Sequence, residues 1–259
     1  MNKIPLSLIS QLTVREVASR YRGSMLGLIW SLATPLFMLA VFTFFFAVVF
    51  QSRWGQGQTS PTEFGLIVFA GLTPFNLFAE MVSRAPNLVT AQPNLVKKVV
   101  FPLAVLPIVA MGSALFQAAI AIVVLLVFQI TLGSGFHTVV LLLPLLVLPL
   151  CLFTLGVTWF LAALGVYVRD VSQLMPSIVT ALMFLSPIFY PSSNLPEWIR
   201  PFAANNPLAF SIETVREAVI FGRLPNLVMW LLGIVGGLIV AALGYAFFQK
   251  TRKGFADVL

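Results

Sequence analysis

Glu213 and Glu217 stand four residues apart with Arg216 between them, and theirs is the first spacing that invites a chemical reading. Two carboxyls can divide general acid and base work when they flank a scissile bond, about 5 to 9 Å apart. Residues at i and i+4 instead project from one helix face, so pairing with Arg216 is the ordinary reading. The chain holds a single cysteine, Cys151, and a single histidine, His137. Metal cages and Cys/His nucleophilic pairs need more ligands than that, and one cysteine allows no disulfide within the chain. No Gly-Lys dipeptide occurs, which excludes the glycine-rich phosphate loop with its lysine. Of the acids near apolar runs only Glu80 stands out, and Arg84 follows one turn later, so ion-coupled transport lacks its machinery. What the apolar runs do hold is aromatic. Trp30, Phe37 and Phe44 recur every seven residues, joined by Phe42, Phe45 and Phe46, and Phe184, Phe189 and Tyr190 close a later run. Ring faces stack on the apolar faces of sugars in many orientations, which suits a sliding polymer. Lipid contact or core packing is the plainer alternative for any one ring.

The elements that must carry these residues follow from composition. The chain has 259 residues and 28.3 kDa, of which 59% are hydrophobic and 9% charged. A soluble chain carries about 25% charged residues, so the solvent here is largely lipid and the length is read in spans of about 20 residues. Charge-free stretches run over 23–52, 64–79, 99–168, 171–196 and 224–249. The third is long enough for two spans, with Gly133, Ser134 and Gly135 marking the turn. The expectation is an all-α membrane protein, a single domain over 1–259, with six spans near 26–50, 64–84, 101–130, 139–167, 172–190 and 225–248. The runs lack the alternation of a membrane barrel.

An even number of spans puts both termini on one side. Eleven of the fifteen Lys and Arg residues fall with the termini, while Arg53, Arg200, Arg216 and Arg223 fall opposite. The positive-inside rule makes the termini cytoplasmic, which explains the net charge of +7 without nucleic acid. The first residues read as mature protein, because polar residues interrupt any leader and Arg15 and Glu16 follow directly.

Three segments are not simple spans. In 1–22, Pro5, Leu8, Ile9 and Leu12 share a face opposite Ser7, Ser10 and Gln11, which predicts an amphipathic interfacial helix; a solvated tail is the alternative. The segment 85–100 is bounded by Pro86, Pro93 and Pro102, so its helices are short. It carries Asn94, Lys97 and Lys98 and is a candidate docking element, or else a basic loop that only sets topology. Between spans five and six, 191–223 holds Trp198, Phe202, Phe210 and Phe221 among four prolines. It is too apolar for a solvated loop and too broken to cross, so short re-entrant helices acting as a lid or gate are expected there.

At Arg20-Tyr-Arg-Gly-Ser-Met-Leu-Gly-Leu-Ile-Trp30 the sequence resembles the opening of ABC-exporter permeases for O-antigen and other surface polysaccharides, the Wzm type. Further matches lie at Asn94–Pro102, at Tyr167-Val168-Arg169-Asp170, and at Asn206-Pro207 followed by Arg216 and Glu217. They cover nearly the whole chain in the right order.

The resemblance implies a homodimer of six-helix subunits in the cytoplasmic (inner) membrane, joined to two copies of a separate ABC ATPase that binds ATP and Mg. The chain itself then needs no cofactor, catalyses nothing and holds no metal. It implies that the N-terminal helix and the loop bearing Asn94, Lys97 and Lys98 meet the ATPase. Spans one and five would line the substrate channel with Trp30, Phe37, Phe44, Phe184, Phe189 and Tyr190, and Trp198, Glu213, Arg216 and Glu217 would belong to a periplasmic gate. The implied substrate is an undecaprenyl-diphosphate-linked glycan, for which Arg20 and Arg22 are candidates at the diphosphate entrance, arginine being suited to bidentate phosphate contacts. Teichoic acid exporters share these features, as would a drug or small-lipid exporter of the same fold. A membrane-bound lipid-processing enzyme would need a polar catalytic cluster that the sequence lacks.

Overall fold

Helix capping and proline placement divide the chain into elements before packing does. The structure, a computed structural model, describes residues 6–22, 27, 29–45, 61–97, 101–133, 135–191, 196–197 and 206–259. Among these residues every regular element is helical. In chain order they are α1 (Leu6–Tyr21), α2 (Ile29–Phe42), α3 (Pro61–Arg84), α4 (Asn87–Thr90), α5 (Pro93–Lys97) and α6 (Val105–Leu132). A 3₁₀ turn at Thr138–Leu142 then leads into α7 (Leu143–Leu146), α8 (Leu148–Tyr167), α9 (Val171–Leu185), α10 (Pro207–Val219), α11 (Leu227–Thr251) and α12 (Phe255–Val258).

Among the described residues four stretches are long and apolar enough to cross a membrane: Thr62–Arg84, Val105–Leu132, Thr138–Tyr167 and Leu227–Val258. Ile29–Phe45 and Val171–Leu185 are shorter apolar helices. The chain is a multi-pass, all-helical membrane protein, and each of the six ranges expected to span overlaps one of these stretches. Two boundaries move. Residues 101–104 precede α6 as an irregular turn. The expected fifth span stops at Leu185, because Ser186, which precedes Pro187, turns extended (φ −91°, ψ 147°), the conformation a following proline favours. Phe189 and Tyr190 therefore lie beyond the helix.

α3 is the enclosed element. Its residues from Phe64 to Phe75 are buried throughout, and it packs against α2, α6, α8, α9 and α10. α8 and α11 form the most extensive helix pair, drawn close where Gly244 meets Gly156: a Cβ added at Gly244 would lie 2.0 Å from the Gly156 carbonyl oxygen. In lipid, where burying apolar surface between helices gains little, such small-residue contacts and the dispersion they permit hold helices together. The outer faces of α6 and α11 are apolar, with Val123, Val127 and Ile130 on one and Leu231, Val235 and Leu238 on the other.

The N-terminal segment is helical, as its periodicity predicts. Leu8, Ile9 and Leu12 are half-buried while Ser7, Ser10 and Gln11 are exposed; Pro5 lies outside the described residues. The buried face meets α6. The prolines also bound α4 and α5 as expected, Pro86 capping the first and Pro93 opening the second.

Candidate functional site

Trp30, Phe37 and Phe44 all lie exposed on α2 and its last turn, since seven residues are close to two helical turns. The opposite face buries Ser31, Pro35 and Leu39, and the Gln117 amide of α6 donates to the Ser31 carbonyl at 3.1 Å. An exposed ring has few contacts to lose. Ala at Trp30 or Phe37 is expected to change stability by less than about 0.5 kcal/mol. Ala at Phe75, 2% exposed, should cost about 3 to 5 kcal/mol. Retention of folded protein after stepwise heating in detergent measures the contrast; equal losses would place Trp30 and Phe37 in the core.

The second aromatic group is brought together. Phe189 lies 6.0 Å from Phe184 and 5.9 Å from Phe42 between ring centroids, so the end of α2 meets the end of α9. Tyr190 donates its hydroxyl to the Phe184 carbonyl at 3.0 Å, tying down the last turn of α9. Below Phe184 the same exposed side of α9 carries Gln173, Ser177 and Thr180, a polar stripe at helical spacing that the aromatic pattern of the sequence does not point to. The spacing of four, three and four residues leading to Phe184 was the signal. Val171 and Met175 are buried toward the core. A cavity of about 380 Å³ combines an apolar lining that includes Met38, Phe69 and Leu77 with the polar side chains of Thr34 on α2, Thr73, Asn76, Glu80 and Ser83 on α3, and Gln117 on α6.

The two arginines proposed for a diphosphate have different surroundings. Arg20 is paired with Glu80, while Arg22 is exposed at the edge of an apolar groove of about 810 Å³ between α1 and α6, lined by Val14, Val17, Leu115 and Phe116. Arg84 binds Glu16 and lies 3.2 Å from Glu80, which extends the expected Glu80–Arg84 pair into a network. Asn94 and Lys97 are exposed on α5. Lys98 and Trp198 lie outside the described residues.

Arg216 is where structure and sequence diverge most. Within the segment it shares with Glu213 and Glu217, its side chain is fully buried on the apolar face of α10, beside Ile212, Val215 and Val219. Its guanidinium donates to the carbonyls of Ile67 (3.4 Å), Pro187 (2.8 Å) and Ile188 (3.2 Å) and sits 3.0 Å from the Glu213 carboxylate. The planar fork of five donors suits this many acceptors, and arginine stays charged in proteins. Gly71 makes room, since a Cβ there would fall 2.7 Å from the guanidinium. Glu217 turns the other way, to Arg223 at 3.8 Å; burial raises its carboxyl above the usual range and Arg223 opposes this. The helical position could have disclosed Arg216, one turn after Ile212. Asn206 and Pro207 start this helix, the Asn206 side chain accepting from the Leu208 amide at 3.0 Å and proline occupying the first turn.

No cluster of metal-ligating side chains forms among the described residues. The arrangement offers exposed rings, a polar helix stripe and buried fasteners.

The comparisons fit that description. The family model described as ABC-2 type transporter matches residues 7–220. The chain is 31% identical over 255 residues to the O-antigen export system permease protein RfbA of Myxococcus xanthus, covering 96% of this chain and 94% of that protein. It is 27% identical over 254 residues to the protein of the same name from Klebsiella pneumoniae, with 97% and 95% covered. To the polysialic acid transport protein KpsM of Escherichia coli it is 25% identical over 223 residues, with 83% and 81% covered.

Proposed function

This chain belongs to the ABC-2 type transporter family, and from that membership we propose that it is the channel-forming membrane subunit of an ATP-driven exporter of lipid-linked polysaccharide, such as an undecaprenyl-diphosphate-linked O-antigen. On this reading two copies assemble with two copies of a separate ATPase in the inner membrane. Each copy crosses six times, through the four long apolar helices and the two shorter ones, with both termini cytoplasmic. The loop of α4 and α5, with Asn94, Lys97 and Lys98, faces the ATPase, and 191–223 forms the periplasmic gate. α2 and α9 border the channel. The nucleotide and its Mg belong to the partner.

One observation carries the channel assignment. Between Leu115 and Ile130 of α6 and between Leu227 and Leu243 of α11 the exposed residues are apolar, as a lipid contact requires, whereas α9 exposes Gln173, Ser177 and Thr180 in line with Phe184. Polar side chains directed into hydrocarbon are costly, and within membranes they border a protein interior or a water-filled path. Hydroxyl and amide groups in line with an aromatic ring match a glycan, which presents hydroxyls on its edges and apolar patches on its faces.

Converting Gln173, Ser177 and Thr180 together to Leu, Ala and Val is expected to cut surface polysaccharide at least roughly tenfold, equivalent to about 1.4 kcal/mol on the transport step, with the protein level unchanged. In a Cys151→Ala background, cysteine at Ser177 should react with a membrane-impermeant thiol reagent, and cysteine at Val235 of α11 should not. Normal export by the triple variant together with an unreactive cysteine at 177 would remove α9 from the channel.

A further inference from the structure

The N-terminal helix carries Glu16 and Arg20 one turn apart, and the end of α3 carries Glu80 and Arg84 one turn apart. The structure pairs them crosswise, Glu16 with Arg84 and Arg20 with Glu80, and Arg84 closes the set by lying 3.2 Å from Glu80 within α3. Negative and positive alternate along each helix and oppose one another between helices, so the four formal charges cancel. Their side chains are between about a fifth and a third exposed, from 22% to 34%, which screens them less than open surface pairs.

A helix that merely floated on the membrane surface would direct its charges to headgroups and water. α1 instead turns two of them toward α3, although its backbone rests on α6, where Thr13 packs on Gly112. α3 ends at Arg84 and α4 begins three residues later.

We propose that this two-rung ion-pair ladder locks α1 to the end of α3, so that α1, α3 and the α4–α5 loop move as one body. Arg20 is thereby a positioning residue. Resting on the exporter reading above, the ladder carries a displacement imposed by the ATPase on α1 or α5 into α3, the helix against which both channel-bordering helices pack.

The seat of α1 can be read without transport. A Cβ at Gly112 would lie 3.4 Å from the Thr13 Cβ, close to the separation found in disulfides. A Thr13→Cys, Gly112→Cys pair in a Cys151→Ala background should therefore oxidise readily in the intact chain. Glu16→Arg or Glu80→Arg sets like charges against each other and is expected to slow cross-linking by roughly fivefold, the factor that about 1 kcal/mol produces. Inverting all four residues together rebuilds the ladder with opposite signs and should recover at least half of the wild-type rate. Glu16→Ala and Arg84→Ala should also be non-additive, the double variant losing no more than the worse single one. Single variants that cross-link at the wild-type rate, or additive losses in the alanine pair, overturn the proposal. Export by the same variants should fall and recover in parallel with cross-linking. Cross-linking that follows the charge pattern while export does not leaves the ladder standing and counts against the exporter reading.

Discussion

Valine at Gly244 is expected to eliminate most of the folded protein, whereas valine at Gly236, two turns earlier on α11, should be tolerated. The added Cβ at 244 would meet the Gly156 carbonyl oxygen at 2.0 Å and the Gly156 Cα at 3.0 Å. These are backbone atoms, so no side chain can rotate away and the two helices must separate. Gly156 is confined in the same way, a Cβ there falling 2.4 Å from the Val240 carbonyl. Overpacking typically costs about 1 to 3 kcal/mol and occasionally more, and separating the most extensive helix pair places this case at the upper end. A whole domain is stable by only about 5 to 15 kcal/mol. Nothing lies within 4 Å of a Cβ at Gly236, where replacing glycine also removes its helix penalty of up to about 1 kcal/mol. The monodisperse fraction after solubilisation and graded heating measures both. A Gly244→Val protein as heat-resistant as wild type would mean that α8 and α11 do not cross at this point.

Arg216→Met should be nearly as damaging, and Arg216→Lys should not rescue it. Removing the guanidinium leaves the Pro187 and Ile188 carbonyls without their donor and Glu213 without its cation. Glu213 is 31% exposed, so its stranded charge costs less than the ~3 to 5 kcal/mol of a fully buried pair, but each carbonyl left unsatisfied adds about 1 to 3 kcal/mol. An ammonium is a single point charge and cannot reproduce the fork that reaches α3, the residues after α9 and Glu213 together. Pairing Arg216→Met with Glu213→Gln removes the stranded charge and should recover part of the loss. The order expected in thermal stability is wild type, then the double variant, then the single Met variant. A stable Met variant that exports normally would reduce the buried arginine to an incidental feature.

The resemblance read from the Arg20–Trp30, Asn94–Pro102, Tyr167–Asp170 and Asn206–Glu217 motifs agrees with the family match over residues 7–220. Several motif residues have a local physical reason. Asn206 caps a helix that Pro207 opens. Tyr167 donates to the Thr251 carbonyl at 2.7 Å, joining the end of α8 to the end of α11. Such roles involve neighbours in sequence or a single contact, which is why short motifs record them.

The sequence by itself determined that this is a helical membrane protein, roughly where its helices run, that α1 is amphipathic, and that Trp30, Phe37 and Phe44 share a face. Composition, apolar run length and helical period are properties of a chain read in one dimension, and lipid imposes them on any fold. Only the tertiary structure decided which residues meet. It buried the Arg216 side chain against α3 and the residues after α9, because an arginine's surroundings depend on which helices pack over it. It paired Arg20 with Glu80, sixty residues away, and set the polar side of α9 apart from the apolar sides of α6 and α11. Each of these turns on contacts between helices distant in sequence, whose partners are chosen by the fit of small residues such as Gly156 and Gly244 and by the need of every buried polar group for a partner.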